Sequence, residues 1–156
     1  MKGNDRILAV LNQLLAEELT AISQYMVHSE MCANWGYERL HEAIEKQAID
    51  EMHHAEWLIA RIIFLEGTPI VSRLNPMKFG GTVPEIVQYD YESELGAVKA
   101  YNEAITLAHE VADQGTVDLL IEILKMEEGH ADWGEAQLDQ IKQMGVENYL
   151  VTQAEG

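Results

Sequence analysis

Apolar side chains recur every three to four residues along most of the sequence, which is the spacing of one face of an α-helix. Four long segments carry such a stripe. In chain order the stripes are Leu8, Leu11, Leu15, Ile22 and Tyr25; Ile44, Ala48, Ala55, Leu58, Ile62 and Leu65; Val87, Tyr91, Val98, Tyr101 and Ile105; and Leu120, Leu124, Ala131 and Leu138. The pattern predicts four amphipathic helices and an all-α protein.

Capping and helix-breaking residues set the expected helix ends. Asn4 or Asp5 can cap the first helix, and Trp35-Gly36 is a break near its end. The second helix extends to about Glu66, and Gly67 is expected to form its C-terminal cap.

Residues 67–82 contain two of the three prolines and are expected to form the one long connection. The segment TVPE at 82–85 then has the pattern of a capping box with proline in the first turn of a third helix. A fourth helix is expected from about Thr116 to Met144, and VENYLVTQ adds a short C-terminal fifth helix. A long crossover between helices two and three is typical of one class of four-helix bundle.

Composition and charge narrow the possible functions. At 156 residues the chain fits a single domain, residues 1–156, and its net charge of −17 argues against nucleic-acid binding and favours cations as ligands. The single Cys32 can form neither an internal disulfide nor a Cys-rich zinc site. The start MKGNDRILAV does not resemble a signal peptide, and the longest apolar run, WLIARIIFL, is short and contains Arg61. We therefore expect a cytoplasmic protein that does not interact with membranes.

Each apolar stripe is interrupted by one carboxylate, at Glu18, Glu51, Glu94 and Glu127. Burying four uncompensated carboxylates would consume most of the roughly 5 to 15 kcal/mol by which a domain is stable. The ten basic residues do not fall on these stripes, so another group must neutralise the charge. His54 and His130 follow Glu51 and Glu127 by three residues, on the same helical faces.

The spacing of these residues indicates a pseudo-twofold site. Glu18 and Glu51 are 33 residues apart, as are Glu94 and Glu127, and 76 residues separate the two halves. The same offset of 76 relates His54 to His130. Each half thus supplies one lone glutamate and one Glu-x-x-His motif.

Four carboxylates balance two divalent cations, and oxygen-rich ligation with two imidazoles suits iron or manganese. The expected arrangement has Glu51 and Glu127 bridging the two metals. Glu18 with His54 would complete one metal, and Glu94 with His130 the other. Tyr25 and Tyr101 face the same centre, either as packing residues or in a redox or ligand-supporting role. The remaining histidines are expected at the surface or at helix ends: His28, His41, His53 and His109.

Several long segments that include these ligands resemble bacterioferritins: the start MKG, LLAEELTAISQY around Glu18, IDEMHHAEWLIARIIFLEG around Glu51, IEILKMEEGHADW around Glu127, and MGVENYL near the end. The resemblance covers essentially the whole chain. It implies a ferritin-like bundle in a hollow homo-oligomeric shell of 24 subunits. It also implies an intrasubunit ferroxidase centre that oxidises Fe(II) with dioxygen or hydrogen peroxide for mineral storage.

The resemblance further implies haem b between paired chains, held by one methionine from each, and a small ferredoxin-type reductant for iron release. Met52 occupies the haem-ligand position. Its spacing places it about 100° around the helix from Glu51, so it points away from the bundle core and joins Ile59 and Ile63 in a second apolar stripe. The stripe indicates a subunit contact, in which Met52 could also simply pack.

Some bacterioferritins have a histidine at the position of Lys46, and that histidine forms an inner-surface iron site with Asp50. This chain departs from them, and a charged lysine cannot ligate iron in the same way. Two other functions stay open: a di-iron oxidase or peroxide-scavenging enzyme that stores nothing, and a haem-bearing assembly with a degenerate centre. The sequence leaves open whether the di-iron centre is a stable catalyst or a transit gate, and whether a second subunit type co-assembles.

Overall fold

The protein, described here by a computed structural model over residues 1–155, consists of five α-helices. The helices are α1 (Asp5–Asn34), α2 (Glu38–Phe64), α3 (Val83–Glu110), α4 (Gln114–Met144) and α5 (Val146–Gln153). Residues 1–155 contain no β-strand, so the all-α prediction is confirmed. The expected domain boundary at residue 156 lies outside the described residues. Helix α4 begins two residues before Thr116, because the Asp113 side chain caps it by accepting the Thr116 N–H at 3.1 Å.

The cap at the end of α2 differs from the prediction. Glu66, not Gly67, has the left-handed backbone conformation, with φ 61°. The N–H of Gly67 donates to the carbonyl of Ile62 at 2.9 Å. A Cβ atom at Gly67 would lie 2.5 Å from a methyl group of Leu8. Gly67 is therefore required for the close packing of the chain against α1, rather than for its own dihedral angles.

Contacts between helices define their directions. Tyr25 and Tyr101 reach Glu94 and Glu18, respectively, so that later residues of α1 meet earlier residues of α3. Helices α1 and α3 are therefore antiparallel. Short connections make α1 antiparallel to α2 and α3 antiparallel to α4. Consequently α2 and α3 are parallel, and the chain between them must travel the length of the bundle.

Residues 65–82 make that crossing alongside α1. Hydrogen bonds join Asn12 to the backbone of Thr68 and Ile70, Thr20 to Asn75, Gln24 to Lys78, and His28 to Gly80. Residue numbers increase in the same direction along both segments, so the crossover is parallel to α1. Its backbone polar groups are thereby partly satisfied by α1 side chains.

His28 is fully buried, in contrast to the surface or helix-end position expected from the sequence. Its Nε2 accepts the Gly80 N–H at 3.1 Å, so Nδ1 carries the ring proton of the neutral imidazole and donates it to Asp90 at 2.8 Å. Asp90 also accepts from Gln24 at 2.9 Å. The imidazole thus joins α1, α3 and the crossover.

The apolar core has two parts, with the predicted metal ligands between them. One part includes Leu11, Leu58 and Leu120, and the other includes Ile44, Ile86 and Tyr149. No helix within residues 1–155 has both the length and the apolar character needed to cross a membrane.

Candidate metal centre

All six predicted ligands come together in the middle of the bundle. Glu51 and His54 are completely buried, and Glu18, Glu94 and Glu127 are each only 2% exposed. His130 is slightly more open, with 10% of its side chain exposed. Each of the four long helices contributes at least one ligand, because each stripe carries its carboxylate at the same level of the bundle.

The six side chains form two overlapping groups. Glu18, Glu51, His54 and Glu127 each offer a ligand atom within 4.8 Å of the others, and so do Glu51, Glu94, Glu127 and His130. Only Glu51 and Glu127 belong to both groups. This geometry has room for two adjacent metal positions that would share the Glu51 and Glu127 carboxylates.

The imidazoles direct the same nitrogen toward the carboxylates. His54 Nδ1 lies 3.1 Å from Glu51 and 3.3 Å from Glu127. His130 Nδ1 lies 3.2 Å from Glu51 and 3.5 Å from both Glu94 and Glu127. Nδ1 is therefore the nitrogen that would bind a metal in each half of the site.

Two buried tyrosines hold Glu18 and Glu94, the terminal carboxylates, which each belong to only one of the two ligand groups. The hydroxyl of Tyr25 donates to Glu94 at 2.6 Å, and the hydroxyl of Tyr101 donates to Glu18 at 2.5 Å. Each tyrosine thus orients the carboxylate of the opposite half. These contacts go beyond packing, because each hydroxyl donates to a carboxylate of the predicted ligand set.

Protons and imidazolium charges balance the carboxylates in the metal-free state. Burial lowers the histidine pKa values, but hydrogen bonds to Glu127 and to a terminal glutamate raise the pKa of His54 to about 9 and that of His130 to about 10. Burial and the neighbouring Glu18 carboxylate raise the pKa of Glu51. Burial also raises the pKa of Glu94, to about 7. Burial opposes ionisation of Glu127 as well, yet hydrogen bonds from His130 and His54 lower its pKa to about 2.

The carboxylate oxygens leave room for a further partner. Glu18 Oε2, Glu94 Oε2 and Glu127 Oε1 are buried, and no donor within residues 1–155 meets them with good hydrogen-bond geometry; His54 Nδ1 lies 3.3 Å from Glu127 Oε1. Native proteins rarely leave buried polar atoms unpaired, and two cations, one in each ligand group, would satisfy all three. The donor set of four carboxylates and two imidazoles suits iron or another hard-to-borderline divalent metal.

The outer nitrogens of the two histidines have different partners, which the sequence reading did not anticipate. His130 Nε2 lies 2.9 Å from Asp50, whereas His54 Nε2 lies 3.2 Å from the sulfur of Met126. Asp50 and Met126 are related by the same offset of 76 residues as the ligands. Extending the internal comparison one residue before each Glu-x-x-His motif would have identified this pair.

Asp50 is also paired with Lys46, whose ammonium lies 3.2 Å from the same carboxylate oxygen. The hydrogen bonds from His130 and Lys46 outweigh burial and lower the pKa of Asp50. Lys46 and His130 therefore both face the Asp50 carboxylate.

A cavity of about 220 Å³ lies beside the centre and is lined by, among others, Glu17, Glu18, Asn75, Ser93 and Glu127. Burial raises the pKa of Glu17 to about 7, with repulsion from Glu18 adding to the effect. The cavity thus reaches the carboxylates of Glu18 and Glu127, and the crossover residue Asn75 forms part of its wall.

Met52 points away from this centre, as predicted. Its side chain is 43% exposed, and Ile49 and Ile63 are also largely exposed. Met52 lines a hollow of about 310 Å³, together with Ile22, Met26, Ala48 and Ile49. A mainly apolar surface therefore lies on the outside of α1 and α2.

These features define a four-helix bundle with a short fifth helix and a buried cluster of carboxylates and histidines that could hold metal. Comparison with known families agrees, because residues 8–144 match the ferritin-like domain of the ferritin family. The chain belongs to this family. It is 44% identical to a bacterial ferritin of Synechocystis over 98% of this chain and 99% of that protein.

Other relatives confirm the resemblance to bacterioferritins. A Brucella melitensis bacterioferritin is 38% identical, over 96% of this chain and 92% of its own. A bacterioferritin of Mycolicibacterium paratuberculosis is 39% identical, over 96% of this chain and 94% of that protein. The family membership supports iron storage as the function of the protein.

Proposed function

We propose that the buried centre is a ferroxidase site, at which two Fe(II) ions are oxidised before iron is stored. The observation that carries this proposal is the pair of ligand groups sharing Glu51 and Glu127. In the proposed arrangement Glu18 and His54 complete one iron, and Glu94 and His130 complete the other. Iron is the substrate, and the six side chains hold both ions close enough to react together.

Binding of Fe(II) would displace protons from the site. His54 and His130 must release a proton from Nδ1 before this nitrogen can coordinate, and Glu51 and Glu94 must ionise. The cations then replace those protons as the balance for four carboxylates. Tyr25 and Tyr101 keep Glu94 and Glu18 in place through this exchange.

Two Fe(II) ions supply two electrons to the oxidant. Hydrogen peroxide would accept them with two protons to give two water molecules, and dioxygen would accept them with two protons to give hydrogen peroxide. The cavity beside Glu18 and Glu127 supports access for either oxidant. The cytoplasm is the proposed compartment, because the single cysteine is a buried free thiol.

We also propose a shell of 24 chains with haem b between paired copies, and a ferredoxin-type protein as reductant for iron release. The exposed Met52 thioether in an apolar hollow is compatible with a haem ligand. A twofold contact would bring a second Met52 to the opposite side of the same iron.

The test replaces Glu51 by glutamine, which keeps the buried volume but removes one bridging carboxylate. We expect Glu51→Gln to reduce the initial rate of Fe(II) oxidation by at least about tenfold, with its helical circular dichroism unchanged. Glu56→Gln, an exposed glutamate of the same helix, is the matched control and should oxidise iron at the wild-type rate.

Particle size and iron content of the purified protein separate storage from the two other functions. A large shell that retains many irons per chain supports storage. Rapid oxidation by a small particle that retains none would instead support the di-iron oxidase, and a haem-bearing shell with no rapid oxidation would support a degenerate centre.

A further inference from the structure

The two halves of the centre are nearly equivalent in every group that can touch a metal. Each half has one terminal glutamate, one histidine Nδ1 and a share of the two bridging carboxylates. Each terminal glutamate also accepts one tyrosine hydroxyl. The principal chemical difference between the halves is therefore the partner of the outer histidine nitrogen.

That difference bears directly on how well each histidine can bind a metal. To coordinate through Nδ1, an imidazole must carry its proton on Nε2 and donate it elsewhere. His130 can donate this proton to the Asp50 carboxylate at 2.9 Å, which fixes the ring and increases electron density on Nδ1. Within residues 1–155, the acceptor that His54 Nε2 meets is the Met126 thioether, which is a weak one.

We propose that Met126 makes the two metal subsites unequal, so that a divalent cation binds first at Glu94 and His130 and second at Glu18 and His54. This inference rests on one part of the proposed function, namely that the six side chains bind two metal ions. Asp50 and Met126 act as positioning residues, since each contacts a histidine and neither belongs to the ligand groups.

The arrangement has a consequence for the order of filling. The second subsite, at Glu18 and His54, is the one that borders the cavity. The cation that arrives from the cavity and completes the pair is therefore the more weakly held of the two. It is also the one that leaves more readily.

The experiment titrates the assembled, metal-free protein with Co(II) and follows its visible absorption together with calorimetry. Wild type should bind two Co(II) per chain in two steps. Repulsion between the cations separates the steps even in identical subsites, so the variants decide the outcome. Met126→Asp supplies the missing carboxylate, and the second step should tighten by roughly 10- to 100-fold while the first stays nearly constant.

Asp50→Met provides the reciprocal change and should weaken the first step by a similar factor, again bringing the two steps together. Gln140→Asp adds the same charge at an exposed position of α4 and controls for long-range attraction; both of its steps should match wild type. Met126→Asp and Asp50→Met carry the proposal independently, so misfolding of one leaves the other as a test.

The possible failures are distinct. If Co(II) does not bind at two ions per chain in wild type, the proposed metal centre itself is wrong. If two ions bind but Met126→Asp and Asp50→Met shift both steps equally, or neither, the centre stands and the inequality is overturned.

Discussion

At the scale of single residues, the centre depends on how protons are distributed among buried groups. Glu127 stays ionised between two imidazolium rings, whereas burial and neighbouring carboxylates favour the neutral form of Glu51. The metal-free site is thus held together by hydrogen bonds between acids and bases. Metal binding substitutes cations for those protons, so protons and metal compete for the same atoms.

This competition predicts how the stability of the metal-free protein depends on pH. The pKa of Glu94 is raised in the folded state, from an ordinary value of 4.5 to about 7. A raised pKa contributes stability that is complete below pH 4.5 and is lost as the pH rises through 7. The melting temperature of the metal-free protein should therefore fall between pH 5 and pH 8.

Glu94→Gln cannot ionise, so its melting temperature should fall less over the same interval. Some decrease should remain, because the pKa values of Glu17, Glu51, His54 and His130 are also raised in the folded state. Calorimetry of both metal-free proteins at several pH values measures the difference. If the melting temperatures of the two proteins fall equally with pH, the pH dependence is not due to Glu94.

At the scale of elements, the long crossover is held against α1 by a buried polar network rather than by its own secondary structure. His28 anchors the crossover, since its ring forms hydrogen bonds with both Gly80 of the crossover and Asp90 of α3. The same face of α1 carries Glu18 and Tyr25 to the centre. The crossover also supplies Asn75 and Pro76 to the cavity beside the ligands.

Replacing His28 with alanine should destabilise this arrangement. The change removes a fully buried ring and leaves the Gly80 N–H and the Asp90 carboxylate without their partner. We expect a loss of about 2 to 4 kcal/mol in unfolding free energy and faster proteolysis within residues 68–80. Denaturant unfolding and limited proteolysis measure these effects.

His53→Ala is the control, because His53 is exposed on α2 and should change stability by less than about 0.5 kcal/mol. Wild-type proteolysis in His28→Ala would show that the other α1 contacts suffice to hold the crossover.

At the scale of the whole molecule, α1 and α2 expose apolar side chains that an isolated bundle would leave in contact with water. Met26, Ile49, Met52 and Ile63 are each more than 40% exposed on the outside of α1 and α2. Apolar residues clustered in this way indicate an interface. The proposed shell would cover them, and the proposed haem would lie in the hollow lined by Met26, Ile49 and Met52.

Met52→Leu tests the haem proposal. The swap nearly conserves apolar volume and typically costs less than about 1.5 kcal/mol, so the particle should keep its size. Haem should be lost, because leucine has no sulfur to ligate iron, and Fe(II) oxidation at the separate buried centre should continue. Absorption spectra and size-exclusion chromatography measure the two properties.

Met26→Leu is the matched control, because Met26 lines the same hollow and offers the alternative thioether. It should retain haem with an unchanged spectrum. If Met26→Leu loses haem while Met52→Leu keeps it, the ligand is misassigned; if both retain it, neither thioether holds the haem.

The sequence alone determined the long helices and which six side chains cluster inside the bundle. Helical periodicity is a local property, so the stripes and their interruptions identified the four long helices and placed Glu18, Glu51, Glu94 and Glu127 on buried faces. The internal offset of 76 residues then related the two halves. These predictions needed no knowledge of which helices touch.

Only the tertiary structure decided what each chemical group meets. His28 was expected near the surface because an isolated sequence does not show that the crossover covers it. Gly67 was expected as the helix cap, whereas its packing against Leu8 depends on a contact between distant segments. The different partners of His54 and His130 likewise lie on opposite helices, since α2 and α4 face each other in antiparallel register. Such pairings arise from packing in three dimensions, which local spacing does not determine.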